Sequence, residues 1–150
     1  QLYGGDGNDV LTYDTADTAI SGGAGRDELD ASAQGNSVVL DLFWYTDLEN
    51  VKGGSGNDIL IGNALDNQLT GGAGADQLIG MAGNDTLAGG AGADQVFGGD
   101  GNDVVLTALN DISIPGVPNT GVAQVLSSPL GVAGSTIATL GVLVYLFKRK

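Results

Sequence analysis

The chain has 150 residues, with 18 acidic against 5 basic side chains for a formal net charge of −13, 27 glycines, and neither cysteine nor histidine. Those absences exclude a Ser/His/Asp triad, a thiol nucleophile, a disulfide framework and a zinc site built on nitrogen or sulfur, so any metal chemistry must be oxygen-based. The acidic balance also excludes nucleic acid as a partner, because phosphate binding by counterion release needs clustered Lys and Arg; cations are the natural partner.

Charge divides the chain. Every acidic residue lies at or before Asp111, residues 112–147 are uncharged, and the sequence closes on Lys148, Arg149 and Lys150. A glycine motif starts at Gly4 with no signal peptide ahead of it, which reads as the C-terminal piece of a longer protein. Residues 1–30 form a short repeat block: GGDGNDVLT from Gly4 and GGAGRDELD from Gly22, separated by YDTADTAIS, which keeps the nine-residue phase, loses the glycines and places Ile20 at the apolar position. Over residues 31–52 the phase breaks. The alternation of Val38, Leu40 and Leu42 predicts one strand and residues 48–51 a second. Between them, Phe43, Trp44 and Tyr45 predict an aromatic cap over the N-terminal end of the array that follows, in preference to a platform for sugar or lipid.

Residues 53–108 hold the main array. Six nonapeptides run without a gap: GGSGNDILI, GNALDNQLT, GGAGADQLI, GMAGNDTLA, GGAGADQVF and GGDGNDVVL. Their sixth residues are Asp58, Asn67, Asp76, Asp85, Asp94 and Asp103, and their eighth are Leu60, Leu69, Leu78, Leu87, Val96 and Val105. Six small or polar residues make a turn, and three centred on an aliphatic make a short strand in which only the eighth residue faces inward. A core one aliphatic side chain wide cannot by itself offset the entropy of ordering nine residues. Carboxylates stacked at about 4.8 Å in a parallel coil would repel one another. Hard cations would turn that repulsion into attraction, and calcium, with 6 to 8 oxygen ligands in flexible geometry, suits the pattern better than magnesium.

The motif G-G-x-G-x-D-x-U-x closely resembles the calcium-binding nonapeptide of RTX (repeat-in-toxin) proteins. The resemblance implies a right-handed parallel β-roll with two nonapeptides per turn, each Ca²⁺ lying between loops 18 residues apart and held by sixth-position aspartates and loop carbonyls. Carried over residue by residue, one edge pairs Asp58 with Asp76 and Asp76 with Asp94. On the other edge, Asn63, Leu65 and Asn67 replace glycine, glycine and aspartate, so Asp85 with Asp103 is the expected pair and Asn67 with Asp85 is left open. Asp9 with Asp27, also 18 apart, could hold one more ion. An EF-hand does not fit, because Val10 and Val104 stand where the next ligand belongs and no distal Glu follows. The ninth positions point outward and differ between the two sheets: Ile61, Ile79 and Phe97 on one, Thr70, Ala88 and Leu106 on the other. The apolar stripe either packs against another surface or reflects strand propensity alone.

The linker over 109–121 contains Pro115 and Pro118, and residues 122–147 predict a transmembrane helix. Residues 130–147 alone would span about 27 Å, close to a hydrocarbon core. The basic residues 148–150 predict a cytoplasmic end, leaving the repeats outside. Val117, Pro118, Asn119, Thr120 and Gly121 resemble the LPxTG sorting signal of Gram-positive surface proteins in the order motif, apolar span, basic tail; Val117 departs from the usual leucine. That resemblance implies sortase cleavage between Thr120 and Gly121 and attachment of Thr120 to the cell envelope. The expected fold is therefore an all-β parallel β-roll followed by a C-terminal transmembrane helix. The expected function is a calcium-binding, extracellular, surface-anchored bacterial repeat region that folds on external calcium and has no catalytic residues of its own. The alternative is the calcium-binding end of an RTX-type secreted enzyme or toxin whose catalytic domain lies upstream.

Overall fold

The computed structural model describes residues 1–107 and 123–126. Its strands in chain order are β1 (Leu2–Asp6), β2 (Val10–Thr12), β3 (Ile20–Ala24), β4 (Glu28–Asp30), β5 (Val39–Asp41), β6 (Asn50–Lys52) and β7 (Ile59–Ile61). They continue with β8 (Gln68–Ala73), β9 (Gln77–Ala82), β10 (Thr86–Ala91), β11 (Gln95–Asp100), β12 (Val104–Thr107) and β13 (Ala123–Leu126). All pairings are parallel. One sheet runs β13-β12-β10-β8-β6-β4-β2, the facing sheet runs β11-β9-β7-β5, and β1 pairs with β3. The chain thus winds as a parallel β-solenoid of about six turns.

Register follows the repeat. Leu69 pairs with Leu87 and Leu87 with Val105, and across the roll Leu60 pairs with Leu78 and Leu78 with Val96, each step being 18 residues. These eighth-position side chains are buried and, with Leu11, Ile20, Leu29, Leu40 and Val51, form the core column. Strand alternation turns their neighbours outward. Ile61, Ile79 and Phe97 line up in register on the outer face of the four-stranded sheet and are half-buried.

Residues 31–52 make a full coil of the same solenoid. β5 pairs with β7, and β6 pairs with both β4 and β8, so the large sheet passes through the phase break without interruption. Leu29 to Leu40 and Leu40 to Val51 each span 11 residues in place of nine, so each loop of this coil carries two extra residues. The wider coil is filled by Ala31, Val38, Leu42 and Leu48, all buried. Phe43 and Trp44 follow β5, the edge strand of the four-stranded sheet, but leave that edge uncovered. They sit on a 3-10 turn, Leu42–Trp44, opened by Asp41 Oδ1 accepting the Phe43 N–H, and they project outward at 65% and 75% exposure with their rings edge to face. Tyr45 alone packs on the core.

The helix expected over 122–147 is corrected at its start. Residues 123–126 are strand β13, which continues the large sheet by pairing Val105 with Gln124. The exposed N–H and C=O groups of β12 account for this, since a sheet edge is satisfied by another extended segment. Thr120, Gly121 and the remainder of the apolar span lie outside the described residues. Among the described residues no helix is long and apolar enough to cross a membrane.

Candidate metal centre

Successive coils bring the sixth residues of alternate repeats into two ladders. On one edge the Asp58 N–H donates to Asp76 Oδ1 and the Asp76 N–H to Asp94 Oδ1, both at 2.8 Å, and the Val38 N–H donates to Asp58 Oδ1 at 3.0 Å. On the other edge the Asp9 N–H donates to Asp27 Oδ1 and the Asn67 N–H to Asp85 Oδ1, both at 2.8 Å, while the Asp85 N–H reaches Asp103 Oδ1 at 3.0 Å. Each ligand pair expected from the sequence is therefore brought together. Asp27, Asp58, Asp76, Asp85, Asp94 and Asp103 are no more than 2% exposed, and Asp9 is half-buried.

One carboxylate oxygen is consumed by these rungs, which leaves the other. Oδ2 of Asp9, Asp27, Asp76, Asp85 and Asp103 is buried with no hydrogen-bond partner, whereas Asp58 Oδ2 accepts the Gly54 N–H at 2.8 Å. A buried carboxylate oxygen left unpaired is costly and calls for a positive partner. Glycine supplies the room. A Cβ on Gly71 would collide with the Gly89 carbonyl and Asp76 Oδ2; at Gly80 the pair is the Gly98 carbonyl and Asp85 Oδ2, and at Gly4 the Gly22 carbonyl and Asp9 Oδ2. At these three loops the first-position glycine thus lets a carboxylate of one coil and a carbonyl of the next converge. Such an oxygen-only donor set fits a hard cation. Among the described residues no three His, Cys, Asp or Glu side chains converge on one point, so the ligand set is at most two carboxylates completed by main-chain carbonyls.

Asn67 is different. Its Oδ1 accepts the Asn63 N–H at 2.8 Å, and its Nδ2 donates to the Glu49 carbonyl at 3.1 Å and to Asn63 Oδ1 at 3.2 Å. The amide satisfies itself, so this rung offers no orphaned oxygen and an N–H₂ dipole stands where the other rungs have none.

Electrostatics match the geometry. Burial, reinforced by stacked Asp94 and Asp58 and opposed by the Asp58 N–H, pushes the Asp76 carboxyl up to about 6. Burial does the same to Asp85, also to about 6, with Asp103 and Asp66 adding to it against the Asn67 N–H. Asp103 is raised as well, first by burial.

Comparison with protein-family models matches the RTX calcium-binding nonapeptide repeat in four copies, over residues 1–17, 19–38, 52–87 and 70–105. The chain belongs to this family. A search of curated proteins finds no match. As RTX repeats these are calcium-binding units of the kind carried by secreted proteins, and calcium is the ion implied for the ladders. The RTX matches leave out residues 39–51, and there the structure adds a residue that the nonapeptide pattern does not pick out. The Asp27 N–H donates to Glu49 Oε2 at 2.8 Å, so Glu49 takes the sixth-position place in the ladder. The signal was available: Glu49 precedes Val51 by two, the same acid-to-aliphatic step as Asp58 to Leu60.

Proposed function

We propose that this chain is the calcium-ordered roll of an exported protein held at the cell surface, with Asp9, Asp27, Asp58, Asp76, Asp85, Asp94 and Asp103 as its ligand carboxylates. The observation that carries this reading is the row of buried Oδ2 atoms without hydrogen-bond partners at Asp9, Asp27, Asp76 and Asp85, each set against a main-chain carbonyl of the next coil. Bound calcium would supply positive charge between stacked carboxylates. The chain supplies the rest: main-chain N–H groups fix Oδ1, first-position glycines admit the facing carbonyls, and aliphatic side chains seal the interior. Without the ion, neighbouring carboxylates about 4.8 Å apart repel by roughly 3 kcal/mol per pair at an effective dielectric near 20. Folding is thereby coupled to calcium, at the roughly 10⁻⁴ to 10⁻³ M at which extracellular modules bind.

Surface attachment in this proposal rests on the sequence order of residues 117–121, the uncharged stretch that follows, and Lys148, Arg149 and Lys150. With residues 123–126 in the sheet, the membrane segment is the 130–147 portion, and cleavage between Thr120 and Gly121 would sever β13 from the roll. The chain contributes no catalytic group. The test is far-UV circular dichroism of the chain in chelator and then in millimolar calcium. At neutral pH strand signal should appear only with calcium; full strand signal in chelator at that pH would refute the coupling.

A further inference from the structure

The carboxylate ladder does not stop where the RTX motif stops. At Gly22 a Cβ would collide with Asp27 Oδ2 and with the main-chain carbonyl of Asp47. This is the same convergence seen at Gly4, Gly71 and Gly80, with Asp47 providing the carbonyl that a motif glycine provides elsewhere. Glu49 provides the next carboxylate, fixed by its Oε2 accepting the Asp27 N–H at 2.8 Å. Asp27 is fully buried, and its Oδ2, without a hydrogen-bond partner, faces that carbonyl, acceptor against acceptor. The loop bearing these groups is anchored from two sides. Asp47 Oδ2 accepts the Ser21 hydroxyl at 2.6 Å and the Gly23 N–H at 3.1 Å, and the Glu49 carbonyl accepts the Asn67 amide at 3.1 Å. The ligand-bearing part of the wide coil is thus in register with the Gly22 loop before β6.

We propose that Asp27, Glu49 and the main-chain carbonyl of Asp47 form an additional calcium site, built outside the nonapeptide motif, that joins the Gly22 loop to the irregular coil. This rests on the reading of the ladders as calcium sites. It extends the ion row on that edge to two consecutive sites, Asp9 with Asp27 and Asp27 with Glu49, before the Asn67 amide interrupts it.

Calcium bound per chain at saturation, measured by equilibrium dialysis on the full chain, tests the proposal. Glu49→Gln retains an acceptor for the Asp27 N–H and removes only the charge, so it should bind one ion fewer than the wild type. Glu49→Asp should keep the wild-type number. An unchanged number in Glu49→Gln, with loss of ions in Asp76→Asn, would overturn this site and leave the motif sites standing. A wild type that binds no calcium would overturn both readings. Should Glu49→Gln fail to fold, terbium luminescence sensitised by Trp44, five residues from Glu49 and the single tryptophan of the chain, reads the site in the wild type; its absence would refute the site.

Discussion

Asn67 and Glu49 stand at equivalent places in adjacent coils and solve the same problem in opposite ways. A sixth-position carboxylate leaves a buried oxygen that needs a cation, whereas an amide carries its own donor. In Asn67 that donor is spent on the Glu49 carbonyl and Asn63 Oδ1. Restoring the motif by Asn67→Asp should therefore harm the protein. The change removes two hydrogen bonds, adds a buried charge beside the Glu49 carbonyl, and gains no competent loop, because Leu65 stands where Gly74, Gly83, Gly92 and Gly101 adopt positive φ in the matching loops. Leaving a buried acceptor unsatisfied costs about 1–3 kcal/mol. Thermal melting in saturating calcium should show Asn67→Asp below the wild type with no gain in bound calcium. A higher melting temperature would mean that the amide is a degenerate ligand and not a substitute for one.

Among the elements, the nine-residue repeat by itself makes most strands legible: a fixed aliphatic at the eighth position specifies a strand, and a six-residue glycine turn specifies its connection. The pairs Asp58 with Asp76, Asp76 with Asp94, Asp85 with Asp103 and Asp9 with Asp27 were readable because parallel register converts an 18-residue spacing into adjacency. What the period could not reveal was the coil over 31–52, where spacings of 11 break the phase although pairing is preserved through β6 on the large sheet and from β5 to β7 on the other. Sheet continuity there depends on side chains that no repeat specifies. Leu48, fully buried, fills the space opened by the two extra residues of its loop. A buried Leu→Ala change typically costs 2–5 kcal/mol. Because β6 bridges β4 to β8, Leu48→Ala should uncouple the two repeat blocks: chelator titration followed by circular dichroism should resolve two transitions in place of one. A single transition with an unchanged midpoint would show that the coil is not the joint. The aromatic triplet misled for a related reason. An exposed ring pair on a turn and a cap over an open end have the same composition, and only the burial of the rings distinguishes them.

For the whole molecule, the ladders make the fold sensitive to protons in a direction opposite to that of most acidic proteins. Asp76 and Asp85 have folded-state values of about 6 against an ordinary 3.8, so the calcium-free fold takes up protons. A carboxyl raised on folding contributes stability that is fully present below 3.8 and is lost as pH climbs through about 6. Asp30 and Asp47 behave in reverse. The Ser32 hydroxyl holds Asp30 below 3.8, and at Asp47 burial is outweighed by hydrogen bonds from Ser21 and the Gly23 N–H, so their contribution survives until pH falls through those lowered values. Between about pH 4 and 6 the two sets therefore act together, and acid replaces the ion at Asp76 and Asp85, where a proton neutralises the stacked carboxylate as calcium would. In chelator, strand signal should be greater near about pH 4.5 than near neutrality, while in calcium the midpoint concentration should rise on acidification because protons compete for the same oxygens. Falling net charge favours compaction generally, so the Asp76→Asn, Asp85→Asn double variant is the control. With Asp76 and Asp85 made permanently neutral and Asp103 left as the remaining raised group, its chelator signal near neutral pH should exceed that of the wild type and its pH dependence should weaken. If the double variant keeps the full wild-type pH dependence, the response belongs to the surface charge and not to the ladders.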